Sequence, residues 1–195
     1  MADYLLDDAV GRGVKSLATV SNLSSSRGLR DVTEAHGGVW HAAAVGEVNV
    51  TTKMHEVGAL IGGEGNGGVI YPACHCGRDA MVGTALFLTN LARRGMKVSE
   101  YKATLPQYVI VKKRIDLSDS SMIDRILSEM KEHFKSEKVN TVDGVKIDFE
   151  AERKWVHLRR SNTEPIIRVY AEAETEAEAG ALADEVIALA GSIIG

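Results

Sequence analysis

The chain has 195 residues, 45% of them hydrophobic, with 23 basic against 27 acidic side chains and a formal net charge of −4. That length fits one large or two small domains, and that apolar content supports a packed core and excludes a disordered chain. A balance so near neutrality gives no reason to expect nucleic acid as a partner. No apolar run approaches the roughly twenty residues of a membrane span, and the N-terminus lacks the basic region of a signal peptide, so the expected setting is cytoplasmic with no membrane partner.

In chain order, Ala2 to Val10 reads as a helix and Ser16 to Val20 as a buried strand. Ser24-Ser25-Ser26 reads as the capped start of a helix running to about His36 and ended by Gly37-Gly38. Val39 to Val45 is a second strand, Val48 to His55 a short helix, and Leu60 to Gly62 a third strand entering Gly62-Gly63-Glu64-Gly65-Asn66-Gly67-Gly68. Asp79 to Arg94 carries apolar residues at Met81, Val82, Ala85, Leu86, Leu88 and Leu91, a helical spacing stopped by Gly95. Strands alternating with helices predict a three-layer α/β/α unit with a mainly parallel sheet, in which ligands collect at the carboxyl ends of strands.

The glycine run follows a strand, the right place for a binding loop. Glycine lets a backbone approach a ligand closely. Glu64 can accept hydrogen bonds from two vicinal hydroxyls, as sugar recognition needs. The plainer reading, a flexible linker, is disfavoured by the flanking apolar runs Val57 to Ile61 and Val69 to Tyr71. Cys74-His75-Cys76 holds both cysteines of the chain. Zinc needs about four ligands and no second cluster supplies them, so no metal is expected there; the tripeptide reads as a loop with reduced thiols.

Composition changes over Lys102 to Gln107, where Pro106 marks a boundary, giving expected domains at 1–103 and 104–195. Tyr108 to Leu117 reads as a strand and Ser121 to Phe134 as a helix capped by Ser120 or Ser121. Lys138 to Asp143 leads to a turn at Asp143-Gly144. Val145 to Phe149, Trp155 to Leu158 and Ile166 to Ala171 read as an antiparallel meander, and Glu174 to Ile194 as a closing helix. This second unit is a smaller α+β domain, an antiparallel sheet flanked by helices. Glu172, Glu174, Glu176 and Glu178 read as a solvated first turn favoured by the helix dipole, and Trp40 and Trp155 as packing residues.

Between the last two strands lies Arg159-Arg160-Ser161-Asn162-Thr163-Glu164-Pro165, with Arg168 beyond. Ser161 and Thr163 offer hydroxyls, Asn162 an amide, and Arg159 and Arg168 can each grip a phosphate through paired, charge-assisted hydrogen bonds. This is the chemistry of an anion cradle on a hairpin; the alternative is an ordinary polar turn with a solvated arginine.

Together the two loops resemble those of the α-D-phosphohexomutases, the phosphoglucomutases and phosphomannomutases. Gly63 to Gly68 is similar to that family's sugar-binding loop, and Arg159 to Pro165 with Arg168 to its phosphate-binding loop. Val45-Gly46-Glu47 and Gly77-Arg78-Asp79 resemble landmarks around the sugar loop. Many members have Ser and His where this chain has Asn66 and Gly68, and an active-site lysine where the nearest match is Ser24. The resemblance implies domains three and four of a four-domain enzyme, the C-terminal half, with an artificial or reassigned start at Met1. It implies Glu64 and Asn66 as sugar-binding residues, and Arg159, Ser161, Asn162, Thr163 and Arg168 as phosphate-binding residues. The family's phosphoserine loop and its Asp-x-Asp-x-Asp-Arg magnesium loop have no counterpart here. The implied partners are a hexose phosphate and the missing N-terminal domains. The implied cofactor is magnesium in the full-length enzyme, with no metal and no catalytic residue in this chain.

Two functions follow. One is part of an isomerase that moves a phosphoryl group between C1 and C6 of a hexose, this chain alone being inactive. The other is a stand-alone phosphosugar-binding or interaction module without catalysis.

Overall fold

The computed structural model describes residues 1–117, 121–161 and 163–194, and divides into two units, Met1–Gln107 and Tyr108–Gly195. The division falls a few residues past the expected one. The cause is a helix missed in the sequence, α5 (Val98–Thr104), whose Tyr101 is 2% exposed within the first unit.

The first unit runs α1 (Ala2–Gly11), β1 (Ala18–Asn22), α2 (Gly28–Ala35), β2 (Val39–Ala43), α3 (Glu47–Val57), β3 (Ile61–Glu64), β4 (Gly68–Tyr71), β5 (His75–Arg78), α4 (Ala80–Arg94) and α5. Its five-stranded sheet has the order β2-β1-β3-β4-β5. β1 is buried at every residue, as a central strand covered on both faces must be. Val50 and Met54 of α3 pack with Val20 and Ile70, while Leu6 and Ala9 of α1 pack with Leu17 and Val32.

The sheet is mixed: β1 pairs in parallel with β2 and β3, but β3-β4 and β4-β5 are antiparallel. The glycine run is thus the turn of a β3-β4 hairpin. Gly63 carries it, since a Cβ there would lie 2.2 Å from the carbonyl oxygen of Gly68, and Gly67 turns the chain at φ +94°. The expected Cys-His-Cys loop is also corrected: Cys74 sits in a turn, and His75 and Cys76 open β5, with both thiols exposed. The serine cluster caps differently from expectation. Arg27 holds the N-cap position, and Ser26 Oγ accepts from the Gly28 amide at 3.1 Å. Asp79 caps α4 through Val82 N at 2.9 Å, and Gly95 ends it in the left-handed conformation.

The second unit runs β6 (Val109–Asp116), α6 (Met122–His133), β7 (Lys138–Asn140), β8 (Val145–Phe149), β9 (Lys154–Arg160), β10 (Ile166–Ala173) and α7 (Glu176–Ile194), with a short 3-10 turn at 150–152. Its sheet is antiparallel throughout, in the order β6-β10-β9-β8-β7. Ser120 lies outside the described residues; Ser121 precedes α6 in a helical conformation without a side-chain cap bond. Alternate residues Val156 and Leu158, Ile167 and Val169 face Ile126 and Met130 of α6 and Val186 of α7, all fully buried. Ala179, Leu182, Ala183, Val186 and Ala190 recur at helical spacing, and the alanines let α7 lie close to the sheet.

The opposite sheet face is polar yet partly buried. Trp155 and Glu172 are fully buried and joined by a 2.7 Å hydrogen bond from the indole, with Lys146 Nζ 4.2 Å from the indole ring. Glu172 is therefore no part of a solvated turn. It belongs to β10, paired with Trp155 across the strands, and only Glu174, Glu176 and Glu178 are exposed.

Candidate functional site

In the first unit the candidate site lies where the carboxyl ends of β1 and β3 meet the start of α3. Glu64 closes β3 with its side chain 6% exposed. Its Oε1 accepts from Asn22 Nδ2 at 2.9 Å and from the Gly46 amide at 3.0 Å, and Arg78 Nη1 lies 3.4 Å from its Oε2. Asn22 is held in turn, its Oδ1 accepting from Ser25 Oγ at 2.8 Å. Arg78 also engages Glu47, whose carboxylate accepts from Arg78 Nε at 2.7 Å and from the Arg78 amide at 3.1 Å. Those bonds from the Arg78 backbone and guanidinium hold the Glu47 carboxyl below the usual carboxylate range.

An ionised carboxylate accepts about four hydrogen bonds. With two made and an ion pair beside it, Glu64 has room for about one ligand hydroxyl. Asn66 stands on the exposed turn with Oδ1 accepting from the Gly68 amide at 3.2 Å, so it shapes the turn. A cavity of about 360 Å³ opens beside the hairpin, lined by Ser21, Ser25, Leu29, Gly63, Glu64 and Val69 among others. The sequence reading missed Asn22 and the Gly46 amide as partners of Glu64. No local pattern marks either one, since both lie far from Glu64 along the chain.

In the second unit the candidate site is the loop between β9 and β10. Its entrance is tied by Ser161 N to Ile166 O at 3.0 Å, its exit by Leu117 N to Pro165 O at 3.2 Å, and its flank by Arg160 to Asp124 of α6 at 2.9 Å. Arg159 and Arg168 are directly opposed across β9 and β10 and so share one sheet face. Arg168 Nη2 lies 3.5 Å from Ser161 Oγ, which lies 3.5 Å from Thr163 Oγ1. Glu164 meets Arg168 at 3.6 Å. Among the described residues, the buried Nε of Arg159 has no hydrogen-bond partner. The fold thus brings Arg159, Ser161, Thr163 and Arg168 together; Asn162 lies outside the described residues.

Below the loop, on the same face, His157 is 1% exposed and donates from Nε2 to Asp143 O at 2.6 Å. Burial pushes its pKa down to about 4 against that hydrogen bond, helped by the charges of Lys146 and Arg159.

Among the described residues, one group could hold a metal by position: Asp3, Asp7 and His36. Its carboxylates are already met. Arg94 hydrogen-bonds both aspartates, at 2.9 Å to Asp3, and the Tyr101 hydroxyl donates to Asp3 at 2.7 Å. His36 Nε2 lies 2.9 Å from Asp7. Burial opposes protonation of His36, but the Val32 carbonyl and the two carboxylates outweigh it, and the pKa is raised.

Two family models match the chain: the α/β/α domain III of phosphoglucomutase/phosphomannomutase over residues 1–108, and the C-terminal domain of the same proteins over residues 113–189. The chain belongs to the phosphoglucomutase/phosphomannomutase family. It is 38% identical over 176 residues to a phosphoglucomutase/phosphomannomutase of Thermococcus kodakarensis, a match covering 90% of this chain and 38% of that protein. It is 38% identical over 146 residues to a phosphoglucosamine/phosphogalactosamine mutase of Sulfurisphaera tokodaii, covering 72% of this chain and 31% of that protein. The chain thus spans less than two fifths of the length of these relatives. Its fold is that of a Burkholderia thailandensis phosphoglucomutase/phosphomannomutase family protein (TM-score 0.74, 21% identity, 97% of this chain and 42% of that one). It is also that of an Aspergillus fumigatus N-acetylphosphoglucosamine mutase solved with GlcNAc-6P and magnesium (TM-score 0.69, 16% identity, 95% and 41%).

Proposed function

We propose that this chain is the sugar- and phosphate-holding part of a phosphohexomutase, binding a hexose phosphate while a phosphoryl group moves between C1 and C6. The observation that carries this reading is the loop cradle, in which two opposed arginines, one with a buried Nε unpartnered among the described residues, flank two hydroxyls on a hairpin tied at both ends. Family membership supports it. Arg159, Ser161, Asn162, Thr163 and Arg168 hold the phosphate that is not transferred. Glu64 accepts one sugar hydroxyl from its anchored position, and Asn66 presents the turn to the same sugar.

Positioning and electrostatics do most of the work in phosphoryl transfer, and that is what these groups supply. The bond-breaking groups, a phosphoserine and a magnesium loop, belong to parts of a full-length enzyme that this sequence does not contain. Magnesium there would neutralise charge on the transferring group. The Asp3-Asp7-His36 group does not fit that ion, since Arg94 and Tyr101 already meet its carboxylates.

Phosphate titration tests the cradle. Arg159→Ala and Arg168→Ala each remove charge-assisted hydrogen bonds of about 1.5–3 kcal/mol, and should weaken inorganic phosphate binding roughly ten- to a hundredfold. Unchanged affinity in both variants would sink the assignment.

A further inference from the structure

The cradle's row of arginines does not end at Arg168. Arg114 of β6 lies directly opposite Arg168, which lies directly opposite Arg159. Directly opposed residues share a face with their Cβ atoms about 5 Å apart, so these three cationic residues stand in one line across adjacent strands. Like charges so placed repel. Each of two arginines has one carboxylate beside it: Asp116 meets Arg114 at 3.2 Å and Glu164 meets Arg168 at 3.6 Å.

Both carboxylates mark the loop end of the sheet. Asp116 is paired with Ile166, the first residue after the loop, so Arg114 leans toward the same end as the hydroxyls of Ser161 and Thr163. Over Arg114 and Arg168 a cavity of about 280 Å³ opens, walled also by Lys112, Glu164, Ile166 and Tyr170 among others.

We infer that Arg114 is a third phosphate-binding arginine, gripping the anion from the β6 side that the loop does not cover. Asp116 is the counter-ion that Arg114 gives up when phosphate arrives. The inference rests on the phosphate-cradle reading above. The exchange is favourable because Arg114 and Asp116 form a surface pair, with side chains 62% and 69% exposed. Such pairs contribute little, whereas a guanidinium on a dianionic phosphate makes paired, charge-assisted bonds.

Calorimetric titration of the whole chain with inorganic phosphate tests it, using Arg114→Gln, Arg159→Gln, Asp116→Asn and Lys135→Gln. Lys135 is a distant surface cation, 72% exposed, and its variant carries the same loss of charge. Arg114→Gln should weaken phosphate binding about fivefold beyond the Lys135→Gln control, and Asp116→Asn should tighten it. If Arg114→Gln matches the control while Arg159→Gln loses affinity, the third arginine is overturned and the cradle stands. If Arg159→Gln also matches the control, the cradle itself fails and Arg114 with it.

Discussion

Glu64 is built into the structure of the site in which it is proposed to meet a ligand. Its carboxylate accepts from Asn22 and Gly46 and pairs with Arg78, so any hydroxyl joins an acceptor already in place. Glu64→Gln keeps the shape and removes the charge. Loss of a charged acceptor with two internal donors should cost about 1–3 kcal/mol of first-unit stability, read as a lower midpoint in denaturant. In a full-length enzyme the same change should lower kcat/KM at least tenfold if one transition-state hydrogen bond weakens by about 1.4 kcal/mol. Inorganic phosphate binding should not weaken, because a carboxylate accepts hydroxyls but repels anions. A variant with unaltered midpoint and unaltered kinetics would reduce Glu64 to a turn residue. The sequence made Glu64 stand out because a carboxylate amid glycines is a sharp local signal. It could not display Asn22, forty-two positions away along the chain, as its partner.

Among the elements, β9 carries the pH response of the second unit through His157. The folded pKa, about 4, lies below the ordinary 6.5, so the unfolded state binds more protons between those values. Stability from this group is complete above pH 6.5 and is lost as pH falls toward 4, amounting to about 3 kcal/mol on an order-of-magnitude basis. His36, at the end of α2, runs the other way. Its raised pKa gives stability present below 6.5 and lost as pH rises through the folded value. Denaturation of His157→Gln against the parent at pH 7.5, 6 and 4.5 separates the two. The variant's second unit should show a shallower loss on acidification, and an identical slope would contradict the buried, neutral imidazole. Helices and strands with strong periodicity, such as α4, α7 and β10, were legible from spacing alone. The β3-β4 hairpin and β5 were not, because glycines and a Cys-His-Cys tract hide strand propensity. Their pairing is decided by β3's place at the edge of the parallel part of the sheet. Likewise α5 has too few apolar residues to declare itself, and rests on Tyr101 and on Lys97 N donating to Glu100 at 2.8 Å.

For the molecule as a whole, the two-unit plan and the order of its loops could be read from the sequence. The buried polar face of the second sheet could not, since Lys146, Asp148, Trp155, His157 and Glu172 alternate with apolar residues just as solvated positions do. The 195-residue chain by itself is expected to give no interconversion of hexose 1- and 6-phosphates, because it contains neither a phosphoserine loop nor an Asp-x-Asp-x-Asp-Arg sequence. A coupled assay with magnesium and bisphosphate primer checks this, and clear turnover would refute the division of labour proposed here. No helix of the described residues is long and apolar enough to cross a membrane.

The anchoring of Glu64 reaches beyond its own bonds. A carboxylate clamped at the junction of β1, β3, α3 and β5 cannot be ordered further by a ligand, so the conformational entropy of the hairpin base is already spent during folding. Amides at the base of β3 should then exchange with solvent as slowly without sugar as with it. Only the exposed tip at Asn66 and Gly67 is left to respond, so recognition here would be tuned by the tip alone, with its frame rigid from the outset.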